Sequence, residues 1–191
     1  LLHRKETFRF SLFTKITTAT YGILFVVGAI GIYILELFSS FKNMKWHEAM
    51  FSALFHSAST RSGGLTTYDV QTFSEATDVF MSFLMFIGAS PSSVGGGIRT
   101  TTFAIAILFL ISYARGHTEV HVFKRNIKEI DVFRSYVVII LAFFMVFLST
   151  LTLLITEKHA TVTQILFEIS SAFGTCGMSL GITSDLTTVG K

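Results

Sequence analysis

Two short stretches of this chain place a hydroxyl residue two positions before a glycine, directly after a moderately apolar segment. They are Ser62-Gly63-Gly64, within Ser59-Thr60-Arg61-Ser62-Gly63-Gly64-Leu65, and Thr175-Cys176-Gly177, within Ala172-Phe173-Gly174-Thr175-Cys176-Gly177-Met178-Ser179. The chemistry open to such stretches is coordination, with no bond made or broken. A cation leaving water needs replacement oxygens, and a ring of backbone carbonyls supplies them without a full charge that would trap it. Turning successive carbonyls toward one axis needs unusual backbone angles, which glycine adopts at low cost. Each stretch follows a segment containing Leu-Phe (Leu54-Phe55 and Leu166-Phe167). A helix there would aim the partial negative charge of its C-terminus at the same point. The two triplets are therefore candidate strands of an ion selectivity filter, with Cys176 acting through its carbonyl and not through its thiol.

The elements that must position these strands are membrane helices. Apolar residues make up 51% of the 191 residues, with 21 Phe and a single Pro, and the mean hydropathy is +0.63. That is too apolar for a water-facing surface. Lipid as solvent leaves no backbone group unpaired, so an all-α integral membrane fold is expected. The net charge of +3 does not point to nucleic acid, because the basic residues sit at the ends of apolar runs and form no continuous stripe. A lone cysteine excludes an internal disulfide framework. The chain begins Leu-Leu-His and is expected to be a piece of a longer polypeptide.

Residues 13–37 and 132–155 are each long and apolar enough to span a bilayer. Residues 78–113 are apolar at both ends and interrupted by Gly88-Ala89-Ser90-Pro91-Ser92-Ser93-Val94-Gly95-Gly96-Gly97, which cannot sustain a helix. The flanks are too short to span alone, so one spanning helix broken at membrane depth is expected, and such a break is tolerated only where it lines a cavity or is buried in protein. Residues 46–59 and 162–173 have the length of re-entrant helices. The order is span, dipping helix, glycine-bearing turn, broken span, then span, dipping helix and glycine-bearing turn again.

Arg4, Lys5, Arg9 and Lys15 precede the first span, and Arg115, Lys124, Arg125, Lys128 and Arg134 lie before the second, which places both regions on the cytoplasmic side. Asp69, Glu75 and Asp78 lie on the opposite side without a base among them, either as a cation-concentrating vestibule or as an ordinary solvated loop. Arg61, an ionised residue in a filter turn, is expected to brace that turn by hydrogen bonds from behind. His117-Thr118-Glu119-Val120-His121 is not a zinc-protease motif and reads better as a contact surface for a regulatory subunit. The run Gly95-Gly96-Gly97 lacks the following Gly-Lys-Ser/Thr of a phosphate loop. Glu36, Glu48 and Glu168 are expected in partly solvated structural roles near the membrane boundaries.

Taken in order, residues 54–65, residues 87–101 with Gly95-Gly96-Gly97-Ile98-Arg99, and residues 167–179 resemble the Trk/Ktr/HKT superfamily of cation transporters, and most closely its bacterial KtrB-type potassium-translocating subunits. The resemblance covers the whole chain. It implies four span-pore-span repeats around one pore, of which residues 8–114 are the third, 115–131 a cytoplasmic linker, and 132–191 the beginning of the fourth without its last span. It implies a potassium filter in which Gly64 and Gly177 are the filter glycines and potassium is held by backbone carbonyls. The broken span then corresponds to an intramembrane gate loop from Gly88 to Arg99, where Arg99 either holds the gate closed or anchors the cytoplasmic half-helix. The resemblance also implies a multi-pass plasma-membrane protein, a homodimer of pore subunits, and a KtrA-like cytoplasmic ring of regulatory subunits. ATP or ADP would bind only to that ring, and this chain would carry no cofactor of its own.

Two other transport classes stay open on the residues. An alternating-access, sodium- or proton-coupled secondary transporter also uses broken helices to hold ions at the midplane. A sodium-permeable member of the same superfamily is the other, because the first repeat's filter lies outside this chain. An enzyme would need converging acid, base or metal groups, and the spans contain none.

Overall fold

The computed structural model describes residues 11–91, 93–117, 121–122, 125–184, 186–187 and 190. Among them, six α-helices follow the order read from the sequence: α1 (Leu12–Glu36), α2 (Trp46–Ser59), α3 (Glu75–Phe86), α4 (Thr100–Ala114), α5 (Glu129–Thr156) and α6 (Val162–Phe173). Short 3-10 turns occur at Val70–Thr72 and Ile182–Ser184. The helical architecture agrees with the all-α expectation, and the linker adds a two-residue antiparallel ladder between β1 (His121–Val122) and β2 (Arg125–Asn126). Of the basic residues used to orient the chain, Arg4, Arg9, Lys5 and Lys124 lie outside the described residues, as do Ser92 of the broken span and Thr118-Glu119-Val120 of the linker.

Helices α1 and α5, of 25 and 28 residues, are long and apolar enough to cross a membrane. At ~1.5 Å rise per residue each exceeds the ~30 Å hydrocarbon core. Helices α3 and α4, of 12 and 15 residues, fall short of it separately. Ser11 caps α1, Ser74 caps α3, and Thr161 with Gln164 forms a capping box on α6, satisfying N–H groups that a helix start leaves free.

Helix α1 packs on α2, α3 and α4, while α5 packs on α4 and α6, and α6 packs on α3. Gly28 permits a close approach of α1 to α2. A side chain there would run into Ser57 of α2, whose hydroxyl instead donates to the Phe25 carbonyl on α1 at 2.8 Å. One apolar cluster, including Ile32, Ala53, Met81, Met85, Phe167 and Cys176, lies among α1, α2, α3 and α6. A second, with Ile16, Ile105 and Val132, joins α1, α4 and α5. The outward face of α5 is exposed and apolar, with Phe133, Phe143, Phe144 and Phe147 on it.

Glu36 departs from the partly solvated role expected of it. It is fully buried and accepts from the Ser74 N–H and hydroxyl, both at 2.8 Å, and from the Ser40 N–H at 3.2 Å. The end of α1 is thereby clamped to the start of α3. Asp69 caps the 3-10 turn through Gln71 N–H at 3.0 Å, and Asp78 is buried while Glu75 is exposed. Of the three acids, Asp69 and Glu75 are exposed and Asp78 lies inside.

Beyond the apolar run of α5, Glu157 accepts from the Thr187 hydroxyl at 2.6 Å and the Thr187 N–H at 2.9 Å. These bonds, the hydroxyl one foremost, hold its carboxyl below the usual glutamate range. A depressed pKa means that the tie is complete above the unfolded value and is lost as pH falls through the folded one. Taking the pH from neutral to below about 4 should therefore speed amide exchange at Thr187 relative to its intrinsic rate. Glu157→Gln should abolish that extra pH dependence, and an unchanged protection profile would show that Glu157 does not hold the segment.

Candidate functional site

Helix α2 ends at Ser59, and the chain folds back on that residue. The Ser59 carbonyl accepts from Gly63 N–H at 2.9 Å and Gly64 N–H at 3.2 Å, and the Ser59 hydroxyl donates to the Leu65 carbonyl. The second turn is built alike from the end of α6. The Ser171 carbonyl accepts from Cys176 N–H at 2.8 Å, and the Ser171 hydroxyl accepts from Gly177 N–H at 3.1 Å.

Backbone angles repeat between the two turns. Ser62 (φ 73°) and Gly64 (φ 64°) are left-handed with Gly63 between them not so, and Thr175 (φ 50°) and Gly177 (φ 91°) are left-handed around Cys176. Alternating handedness turns successive peptide groups the same way, in contrast to a flat strand, where they alternate. Only the glycines adopt such angles freely; Ser62 and Thr175 are strained in them and are held by their surroundings.

The turns meet each other. Cys176 Sγ donates to the Ser59 carbonyl at 3.2 Å, and Ser62 Oγ donates to the Gly174 carbonyl at 3.3 Å. A Cβ on Gly64 would collide with the Cys176 carbonyl oxygen. Cys176 is buried, whereas Gly63, Thr175 and Gly177 lie on an open side. The thiol is thus turned into the protein, toward the Ser59 carbonyl.

The break between α3 and α4 packs against both turns. Gly96 N–H donates to Thr175 Oγ1 at 2.7 Å, and Gly95 lies against the Ser62 side chain. Inside the loop, Ile98 N–H donates to the Phe86 carbonyl at 3.1 Å and Ala89 N–H to the Gly96 carbonyl at 3.3 Å. Gly88 and Gly97 lie back to back, too close for any side chain at Gly88. Val94 is fully exposed at the tip, near Ser93 and Pro91. Ser90 is half-buried and Ala89 buried. Arg99 is exposed at the N-cap of α4.

Arg61 is buried, and one guanidinium nitrogen donates to the Ile87 carbonyl, where α3 ends and the break begins. Its Nε and other terminal nitrogen have no partner among the described residues. In the sequence reading Arg61 is expected to brace the turn from behind by hydrogen bonds, and the one bond it makes among the described residues is to the Ile87 carbonyl at the end of α3. Ser59 and Ser171 escaped that reading, although the recurrence of serine near the C-terminal end of both dipping segments was a usable signal.

Residues 3–191 match the family model TrkH, described as "Cation transport protein". The chain belongs to the TrkH cation transport family. It is 53% identical over its full length to Ktr system potassium uptake protein D of Bacillus subtilis, covering 42% of that protein. It is 35% identical over 95% of its length to Ktr system potassium uptake protein B of the same organism, covering 41%. It is also 32% identical over 75% of its length to potassium/sodium uptake protein NtpJ of Enterococcus hirae, covering 33%. The chain thus spans about two fifths of the length of its Ktr relatives, and the Trk/Ktr resemblance drawn from the turns and the broken helix holds.

Within this TrkH-family chain, Ser171→Ala would leave the Gly177 N–H without its acceptor. A loss of about 1–2 kcal/mol is expected, read as a lower thermal midpoint of the full-length protein in detergent, with Ser171→Thr milder. An unchanged midpoint would remove Ser171 from the support of the turn.

Proposed function

We propose that this chain forms part of the ion pathway of a potassium uptake protein, in which backbone carbonyls of Ser62, Gly63 and Gly64 and of Thr175, Cys176 and Gly177 take the place of the ion's water shell. The observation that carries the reading is the repeated alternation of left-handed residues in two facing turns, each at the C-terminal end of a short helix. The helix ends add partial negative charge at the same place. Potassium is the substrate, the reaction is permeation down an electrochemical gradient, and no covalent chemistry is involved. The printed names of the relatives, potassium uptake proteins of a Ktr system, agree with this.

Residues 88–99 act as the gate in this reading. They interrupt a helix of spanning length and rest on both turns, so an ion leaving the filter on the cytoplasmic side meets them first. Arg61 supports the turn from outside the pathway and fixes the loop's starting point at Ile87. The whole protein is a multi-pass plasma-membrane protein that pairs as a homodimer on a cytoplasmic ring of nucleotide-binding regulatory subunits, where ATP or ADP acts. The linker between α4 and α5 is the contact with that ring. A second reading, a sodium-permeable pathway, has the potassium/sodium name of the Enterococcus relative in its favour.

Tracer uptake of rubidium and sodium into vesicles containing the full-length protein separates these readings. Rubidium flux blocked by potassium and not by sodium is expected; equal sodium flux moves the assignment to the sodium-permeable reading, and no flux of either overturns both. Gly64→Ser should cut rubidium uptake or its discrimination by tenfold or more, about 1.4 kcal/mol or more, because the new side chain meets a carbonyl and serine is strained at a φ that glycine adopts freely. Replacing Gly95-Gly96-Gly97 by a shorter linker should raise flux through the unstimulated protein. A fall in flux at normal expression would make the loop structural and not a gate.

A further inference from the structure

The two short helices carry one device in chemically inverted form. His56 and Glu168 both follow the Leu-Phe pair of their helix, and each reaches the backbone of the strand that leaves its turn, at a residue 12 positions further on. His56 Nε2 faces the Tyr68 carbonyl at 3.4 Å. Glu168 Oε1 accepts from the Leu180 N–H at 3.1 Å. In one repeat the strand presents a carbonyl to the helix side chain and in the other an N–H; donation to Tyr68 requires the proton on His56 Nε2, while Nδ1 faces a second carbonyl, that of Ser52, at 2.8 Å.

Resting on the ion-pathway reading above, we infer that His56 and Glu168 are positioning residues that pin the outer ends of the two carbonyl-bearing strands and so set the discrimination between potassium and smaller cations. Ser59 and Ser171 hold each strand at its inner end. A strand fixed only there can fold inward until its carbonyls fit a smaller ion; fixed at both ends, it cannot. The Glu168 anchor is the stronger, since its carboxylate also accepts from the Ser179 hydroxyl and, at 2.9 Å, from the Thr183 hydroxyl. His56 makes one long contact to the strand, is fully buried, is held on its own helix by the Ser52 carbonyl at 2.8 Å from Nδ1, and packs in a T-shaped arrangement with Phe73 at a centroid distance of 5.2 Å. Neither residue touches the open side of the turns, so their effect on ions runs through the backbone.

The test is the rubidium-to-sodium uptake ratio of the full-length protein in vesicles, normalised to folded protein. Glu168→Ala and His56→Ala should each keep measurable rubidium uptake while the ratio falls by about tenfold, the scale of one or two lost buried hydrogen bonds. Glu168→Gln, which retains the acceptor for Leu180, and His56→Gln, which retains a donor, should recover most of it. If Glu168→Ala does not fold, Glu168→Asp, with its carboxylate drawn back by one methylene, should lower the ratio in the same way. A wild-type ratio in every variant, or an equal proportional loss of both ions, overturns the inference and leaves the ion pathway intact. A wild-type protein that passes neither ion overturns both.

Discussion

Backbone polar groups that leave a helix without reaching water must be paired inside the protein, and this constraint organises the structure. Three segments break helical pairing at the centre of the molecule: the two turns after α2 and α6, and the loop between α3 and α4. Each would cost several kcal/mol per orphaned group in an apolar surrounding. They persist because they pair with one another and with the helix ends that surround them. The Ser59 carbonyl alone receives two N–H groups and a thiol.

The same constraint explains why the two turns are alike in shape but not in sequence. The shared needs are an acceptor at the end of the helix and left-handed angles at alternate positions, and these are met by Ser59 and Ser171 and by the pairs Ser62/Gly64 and Thr175/Gly177. What lies between is free to differ. Arg61 has Phe173 at the corresponding end of the other helix, where Phe173 instead stacks on Phe86 with ring centroids 5.5 Å apart. Both residues thus tie a turn to the C-terminal end of α3, one by a charged hydrogen bond and the other by aromatic contact. Helix α3 is therefore held at both ends, by Glu36 near its start and by the turns at its finish.

The architecture was legible from the sequence because membrane helices are dictated by length and apolarity. Residues 46–59 and 162–173 emerged with the same limits in the structure, and the long helices differed by one to three residues at their ends. The break at 88–99 was visible because proline and clustered glycine exclude a helix. Less legible were contacts that depend on which side chain faces which backbone. Nothing in the sequence distinguishes Glu36, buried and fully paired, from Glu48, which is exposed. Arg61 was recognisable as costly, but its acceptor, the carbonyl of Ile87, lies 26 residues away on an element whose packing no local pattern announces. The left-handed Ser62 and Thr175 were chosen as triplet members for their spacing, whereas their strain comes from the tertiary fold.

How firmly the loop is seated follows from how its bonds are divided. Most of its hydrogen bonds run within the segment or to the end of α3: Ala89 with Gly96, Thr100 with Ala89, Ile98 with Phe86. Among the described residues, the loop N–H given to a turn is that of Gly96, through Thr175 Oγ1. One such bond has a net worth of about 0.5–1.5 kcal/mol, and the remaining contact is the close fit of Gly95 and Gly96 against Ser62 and Thr175, which needs the absence of side chains. A segment bonded mainly to itself keeps most of its peptide groups paired if it shifts as a body, the Gly96 N–H being the one among the described residues that would lose a partner on a turn. A loop threaded by many bonds into the turns would be a permanent plug. This division of bonds supports the gate role proposed above, in which Arg61 would hold the start of the loop at Ile87.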